Sequence, residues 1–198
     1  IFSLNVGVTA VVARRKGEND REEANKALRQ SIVICFVVSL ILSILGIKFA
    51  RTLIIFAGAQ SDVVDAAVIY FKIICVGNFF TSLSLTINAA QRGVGNTKIS
   101  MKTNVAANLV NLVFNYLLIG GNFGFPALGV TGAAIATAIG NFIGFLLSLK
   151  SITISHEFLE IKKGQNWKPD KYTLASILNI SGSAFVEQVF MRIGFFTT

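Results

Sequence analysis

The sequence predicts an all-α fold, a polytopic membrane helix bundle. Three observations carry this. Apolar residues make up 53% of the 198 and charged residues only 14%, against about 25% charged in a soluble domain. The apolar residues come in long uncharged runs, and a helix that crosses a bilayer needs roughly 20 of them. The charges, net +8, cluster between the runs, as they do in membrane loops. The runs are continuous rather than alternating, which excludes barrel strands. So much Phe, Ile, Leu and Val excludes disorder. Two cysteines provide no disulfide framework and no structural zinc site. The basic excess belongs to loops, so the expected partner is the lipid bilayer and not nucleic acid.

The runs define six spans in order. Ile1–Ala13 is apolar but short, the tail of a span. The chain starts there without Met or a basic lead, so no signal peptide is expected. It also stops inside an apolar stretch, and a fragment cut at both ends is expected. Ser31–Ile47 is uncharged and extends to Ala50. Ile73–Gln91 is uncharged and begins near Ala66, with Lys72 reaching outward to water. Thr103–Leu149 has no charge and is too long for one span; the segment Gly120–Pro126 divides it. The last run starts at Tyr172 and is interrupted by Glu187 and Arg192.

The loops orient the spans. Six basic residues lie between Arg14 and Arg29, three between Arg92 and Lys102, and five between Lys150 and Lys171. The second loop has only Lys48 and Arg51, and the fourth has none. Fourteen against two, alternating, places loops one, three and five in the cytoplasm. In the first loop, Asp20 followed by Glu23 marks a helix start, with the Glu reaching back to the cap. Ala24, Ala27, Leu28 and Ser31 then share a face leading into the next span. The fifth loop, 151–171, is the longest and most polar, a connector between two halves of a larger protein.

The most informative residues are Asn104, Asn108, Asn111 and Asn115. At ~100° per residue their spacings of 4, 3 and 4 put them within roughly 60° on one helix face. An amide in hydrocarbon needs a partner, so this face is expected to point into the protein or a watery cavity. Asn78, Ser82 and Thr86 form a weaker row in the third span that could line the same cavity or simply pack. Gly132, Ala136, Gly140 and Gly144 make a ladder of small residues that lets helices approach closely. Glu187 lies ~22 Å of helix beyond Tyr172. A carboxylate at that depth is a functional hypothesis by default, and burial would let it take up a proton near neutral pH. Arg192, ~7.5 Å further along, is its structural alternative. Gly93-Val94-Gly95 follows an apolar helix, so it reads as a tight turn and not a phosphate cradle. His156 is alone, Cys35 and Cys75 read as packing residues, and Asp62 with Asp65 has no metal-binding context. No metal site and no catalytic constellation is expected.

Several segments together resemble the multidrug and toxic compound extrusion (MATE) family of secondary transporters. They are residues 12–17 and 21–24, Tyr70-Phe71-Lys72-Ile73, the Gln91–Thr97 turn, Asn111–Ile119, Gly129–Thr137 and Phe185-Val186-Glu187-Gln188. The resemblance implies a twelve-helix protein of two six-helix lobes. Residues 1–150 would be an incomplete first lobe, 151–171 a cytoplasmic connector, and 172–198 the start of the second lobe's first helix. It implies a multi-pass plasma-membrane antiporter, bacterial and monomeric, that exports drugs or amphipathic organic cations against inward flow of Na⁺ or H⁺, with no other cofactor. Some members carry Asn then Asp four residues apart where this chain has Asn111 and Asn115, and many carry Pro where it has Ser183. The resemblance implies that these residues begin after the family's first helix, which carries an acidic residue that many members use. The expected ion-coupling residues are therefore Glu187, Asn111 and Asn115, and the expected substrate cavity is Asn104, Asn108, Asn78 and Ser82.

Two alternatives remain beside the exporter. A lipid-linked saccharide flippase or polysaccharide exporter of the same superfamily would favour several Arg or Lys within the spans, and only Lys72 and Arg192 are there. A membrane-embedded transferase would need paired acids or a His at a membrane face.

Overall fold

The computed structural model describes residues 2–60, 63–154, 158–161, 167 and 170–196, with side chains described as far as Met191. Asp62, His156, Lys162, Lys163 and Lys168 lie outside the described residues. The described residues form seven α-helices and one short 3₁₀ turn. They are α1 (Phe2–Gly17), α2 (Arg21–Lys48), α3 (Ala50–Phe56), α4 (Val64–Gly93), α5 (Thr97–Gly120), α6 (Gly129–Thr153) and α7 (Lys171–Phe196). Five of these, α2, α4, α5, α6 and α7, are long and apolar enough to cross a membrane.

The helix boundaries follow from local chemistry. The Asp20 carboxylate accepts the Glu23 amide N–H at 3.0 Å, as an N-cap does. Glu23 does not reach back to the cap; its carboxylate pairs with Lys26 at 3.1 Å. The helix of the first loop and the span after it form one continuous α2. Its 28 residues rise ~42 Å, more than the ~30 Å of hydrocarbon. The span was expected to run to Ala50, but α2 stops at Lys48 and the chain restarts as α3. The cause is packing: Ala50 is fully buried against Val64 and Val68, with Ile54, Ala59 and Phe71 around them. The Gly93–Gly95 turn is as expected, with Gly95 at φ +85° and the Asn96 N–H on the Gln91 carbonyl at 2.9 Å. The break between α5 and α6 also falls where expected. It uses positive φ at Gly121, Phe123 and Gly124.

The chain divides into two compact units, one of residues 1–35, 85–101 and 148–198, the other of 36–84 and 102–147. In the first, α1 packs on α7 at backbone distance. A Cβ on Gly7 would lie 2.8 Å from the Ile177 carbonyl oxygen and closer still to the Ser181 hydroxyl. Polar side chains join α1, α4 and α6 in its interior. Thr86 donates to the Asn5 side-chain carbonyl at 3.1 Å, Thr9 to the Ala89 backbone carbonyl at 3.1 Å, and Gln91 to Ser151 at 3.2 Å. Such bonds hold helices together where lipid offers no competing partner.

In the second unit the predicted glycine ladder is the α5–α6 interface. A Cβ on Gly140 would meet the Ala107 carbonyl oxygen at 2.8 Å, one on Gly144 the Ala107 Cβ at 3.1 Å, and one on Gly132 the Leu118 backbone more closely still. Edge-on aromatic contacts tie α2, α4 and α6: Phe36 to Phe79 at 5.4 Å, Phe79 to Phe80 at 5.4 Å, and Phe80 to Phe142 at 5.0 Å. Cys35 and Cys75 are free and buried, each inside its own unit.

Candidate functional site

The asparagine row does not share one environment. Asn104 and Asn108 are exposed on α5, while Asn111 and Asn115 are half-buried against α6. The reason is the α5–α6 seam. Residue 140 has no side chain, and a Cβ there would come within 3.0 Å of the Asn111 Cβ. That lets the Asn111 amide reach α6, where its Nδ2 donates to the Thr137 hydroxyl at 3.1 Å. Thr137 in turn donates to its own helix at Ala133 O, 2.9 Å away. One turn along α5, Asn115 Nδ2 donates to Asn111 Oδ1 at 2.9 Å. This leaves Asn115 Oδ1 buried with no hydrogen-bond partner among the described residues. An unsatisfied buried acceptor costs about 1–3 kcal/mol, so it is a natural position for a ligand or water to complete.

The cluster therefore offers three neutral side-chain oxygens: Asn111 Oδ1, Asn115 Oδ1 and Thr137 Oγ1. Oxygen donors of this kind suit hard cations. None of them titrates near neutral pH, so the cluster cannot itself bind a proton by ionisation. Thr137 was not among the residues expected at the site. Its signal was present in the sequence: it is a hydroxyl three residues before Gly140 and seven before Gly144, on the ladder face itself.

The other expected residues are placed as follows. Asn78 is exposed on α4; Ser82 is buried and donates to the Asn78 backbone carbonyl at 2.7 Å. Thr86 belongs to the Asn5 contact and lies in the first unit. Glu187 is exposed on α7. The burial expected for it is not provided by this chain, since no other described helix covers it. The side chain of Arg192 lies outside the described residues, and so does the proposed Glu187–Arg192 pairing. Among the described residues no group of His, Cys, Asp and Glu is placed to hold a metal ion.

Bilayer-length helices, packed through glycines and carrying buried polar groups, define a multi-pass membrane helix bundle. Residues 1–117 match the MatE family, and the chain belongs to that family. It is 27% identical over 177 residues to a probable multidrug resistance protein NorM of Thermotoga maritima, covering 88% of this chain and 38% of that protein. It is 29% identical over 206 residues to a probable multidrug resistance protein NorM of Photorhabdus laumondii, covering 98% and 44%. Its fold matches a crystal structure of MATE in the bent conformation with a TM-score of 0.88 at 25% identity, over 98% of this chain and 42% of that one. The chain thus spans less than half the length of these relatives.

Proposed function

We propose that the full-length protein is a cation-coupled antiporter that exports amphipathic organic cations or drugs across the plasma membrane, in a multi-pass bundle of two lobes. Residues 1–150 belong to the first lobe, 151–171 connect the lobes on the cytoplasmic side, and α7 opens the second. The observation that carries this reading is the oxygen cluster of Asn111, Asn115 and Thr137, with one buried oxygen left without a partner. A cation bound there would favour the state of the bundle in which the oxygens converge, and a substrate favouring the other state would be exchanged for it. The neutral chemistry of the cluster supports Na⁺ over H⁺ at this position. Glu187 is the second proposed coupling residue, as a carboxylate sixteen residues into α7, and it can take either ion. Asn104 and Asn108, exposed one and two turns before the cluster, supply a polar track for the substrate, with Asn78 and Ser82 on α4. The protein works as a monomer.

The test uses full-length protein in proteoliposomes with an imposed Na⁺ or H⁺ gradient. Asn111→Leu is expected to abolish Na⁺-driven export at unchanged protein level, and Glu187→Gln to alter the ion dependence. If both variants export with normal ion dependence, the coupling role of these residues is refuted.

A further inference from the structure

Three side chains at the start of α2 and the end of α1 grip one short piece of the connector. Asn25 brackets its backbone: Nδ2 donates to the Phe158 carbonyl at 3.2 Å, and Oδ1 accepts the Glu160 N–H at 2.8 Å. Arg21, one turn earlier on the same face, donates through Nε to the same Phe158 carbonyl at 3.1 Å. Its other arm pairs with the Glu160 carboxylate at 3.0 Å. The Lys16 ammonium sits 3.7 Å above the Phe158 ring. Between the two gripped residues, Leu159 is 1% exposed. A polar loop has no need of this: two-point reading of a backbone, with a charge and a ring selected on either side, is the way a protein holds a docked peptide.

The grip is continuous with the closure of α7. Lys26, directly after Asn25 on α2, reaches Asp170 at 3.4 Å. Asp170 caps α7, accepting the Thr173 hydroxyl at 2.7 Å and the Thr173 N–H at 3.0 Å. Further along α7, Ile177 and Ser181 lie against Gly7 of α1 at backbone distance. All these residues belong to one compact unit. Separating α7 from α1 by tilting therefore strains the Lys26–Asp170 contact, which sits beside the Asn25 grip on α2.

We propose that Phe158-Leu159-Glu160 is a cytoplasmic strap, docked on Arg21 and Asn25 while the α1–α7 seam is closed and released when that seam opens toward the cytoplasm. The strap rests on the exporter reading in one respect: an exporter must open inward to load. Lys16 and Arg21 are exposed at its rim, Phe158 and Glu160 are half-buried, and Asn25 and Leu159 are buried beneath them, so release uncovers both a polar and an apolar group. Contacts of this kind form discrete alternative arrangements, and ligands bias their populations.

The test uses full-length protein with Cys35 and Cys75 replaced. Leu159→Cys is labelled with a membrane-impermeant maleimide in inside-out vesicles, with Lys171→Cys as the exposed reference. Slow but complete labelling is expected, and Asn25→Ala should speed it roughly tenfold, as loss of ordinary hydrogen bonds would. In a second arm, Asn25→Cys and Glu160→Cys are joined by oxidation or a short bismaleimide. The joined protein should stop exporting, and reduction of the disulfide form should restore export. A Leu159→Cys that stays unlabelled, or a joined protein that exports at the parent rate, overturns the strap. Should the unjoined parent export nothing, the exporter reading fails by itself, and the labelling arm still decides the strap, for it if Leu159→Cys is labelled and against it if not.

Discussion

Adding a single methyl at successive rungs of the α5–α6 ladder should produce graded effects whose order is set by the backbone. At Gly132 the new Cβ would overlap the Leu118 carbonyl group, which cannot rotate away. At Gly140 it would meet the Ala107 carbonyl oxygen at 2.8 Å and the Asn111 Cβ at 3.0 Å. At Gly144 the first neighbour is the Ala107 Cβ at 3.1 Å, and at Gly17 nothing lies within 4 Å. Overpacking costs about 1–3 kcal/mol, and Ala gains roughly 0.8–1 kcal/mol over Gly in a helix interior. Gly132→Ala should therefore lose about 1–2 kcal/mol net, Gly140→Ala about 1, and Gly144→Ala close to zero. Gly17→Ala should be neutral or slightly stabilising. For a chain of this size 1 kcal/mol corresponds to about 2–4 °C in Tm. The assay is the temperature at which half of the detergent-solubilised protein leaves the monodisperse peak. The reasoning fails if Gly144→Ala is the most damaging of the three, or if Gly132→Ala is as stable as the parent.

Thr137→Val keeps the shape of the candidate cation site and removes one oxygen, so Na⁺-driven export should fall by at least tenfold while Tm changes little; Na⁺ titration of export gives the readout. Asn115→Asp adds a titratable oxygen where one is buried without a partner, and export should acquire a pH dependence that the parent lacks at this position. Thr173 and then Lys26 hold the Asp170 carboxyl below its ordinary value. Its contribution to the start of α7 is therefore fully present above the ordinary carboxylate range and lost as pH falls through the lowered value; the protection of the Thr173 amide, its exchange rate relative to the unstructured rate at the same pH, should fall across that window, and this fall should be absent in Asp170→Asn. Cysteines placed at Arg14, Lys98 and Lys171 should be labelled only from the cytoplasmic side in oriented vesicles, and labelling of Lys171→Cys from outside would reverse the proposed topology.

Much of the molecule follows from the chain alone, because in a membrane the dominant physical requirement is local. Each span must satisfy its own backbone and cover about 30 Å, so apolar runs announced the membrane portions of α2, α4, α5, α6 and α7, while the charged starts of α2 and α5 extend up to ten residues before their runs. Asp20 announced its cap and the segment 120–126 its break for the same local reason. The glycine ladder could also be read, since only small residues permit backbone contact. What tertiary structure decided was which polar groups meet. Four asparagines share a face of α5, yet only Asn111 reaches Thr137, because residue 140 leaves room for it, and Asn115 joins through Asn111. A periodic pattern specifies a direction on one helix and not the neighbour in that direction. The same limit applied to α3, which exists because Ala50 packs against Val64 and Val68, and to the grip of Arg21 and Asn25 on residues 158–160. That contact crosses more than 130 residues of sequence, and no local signal announces it.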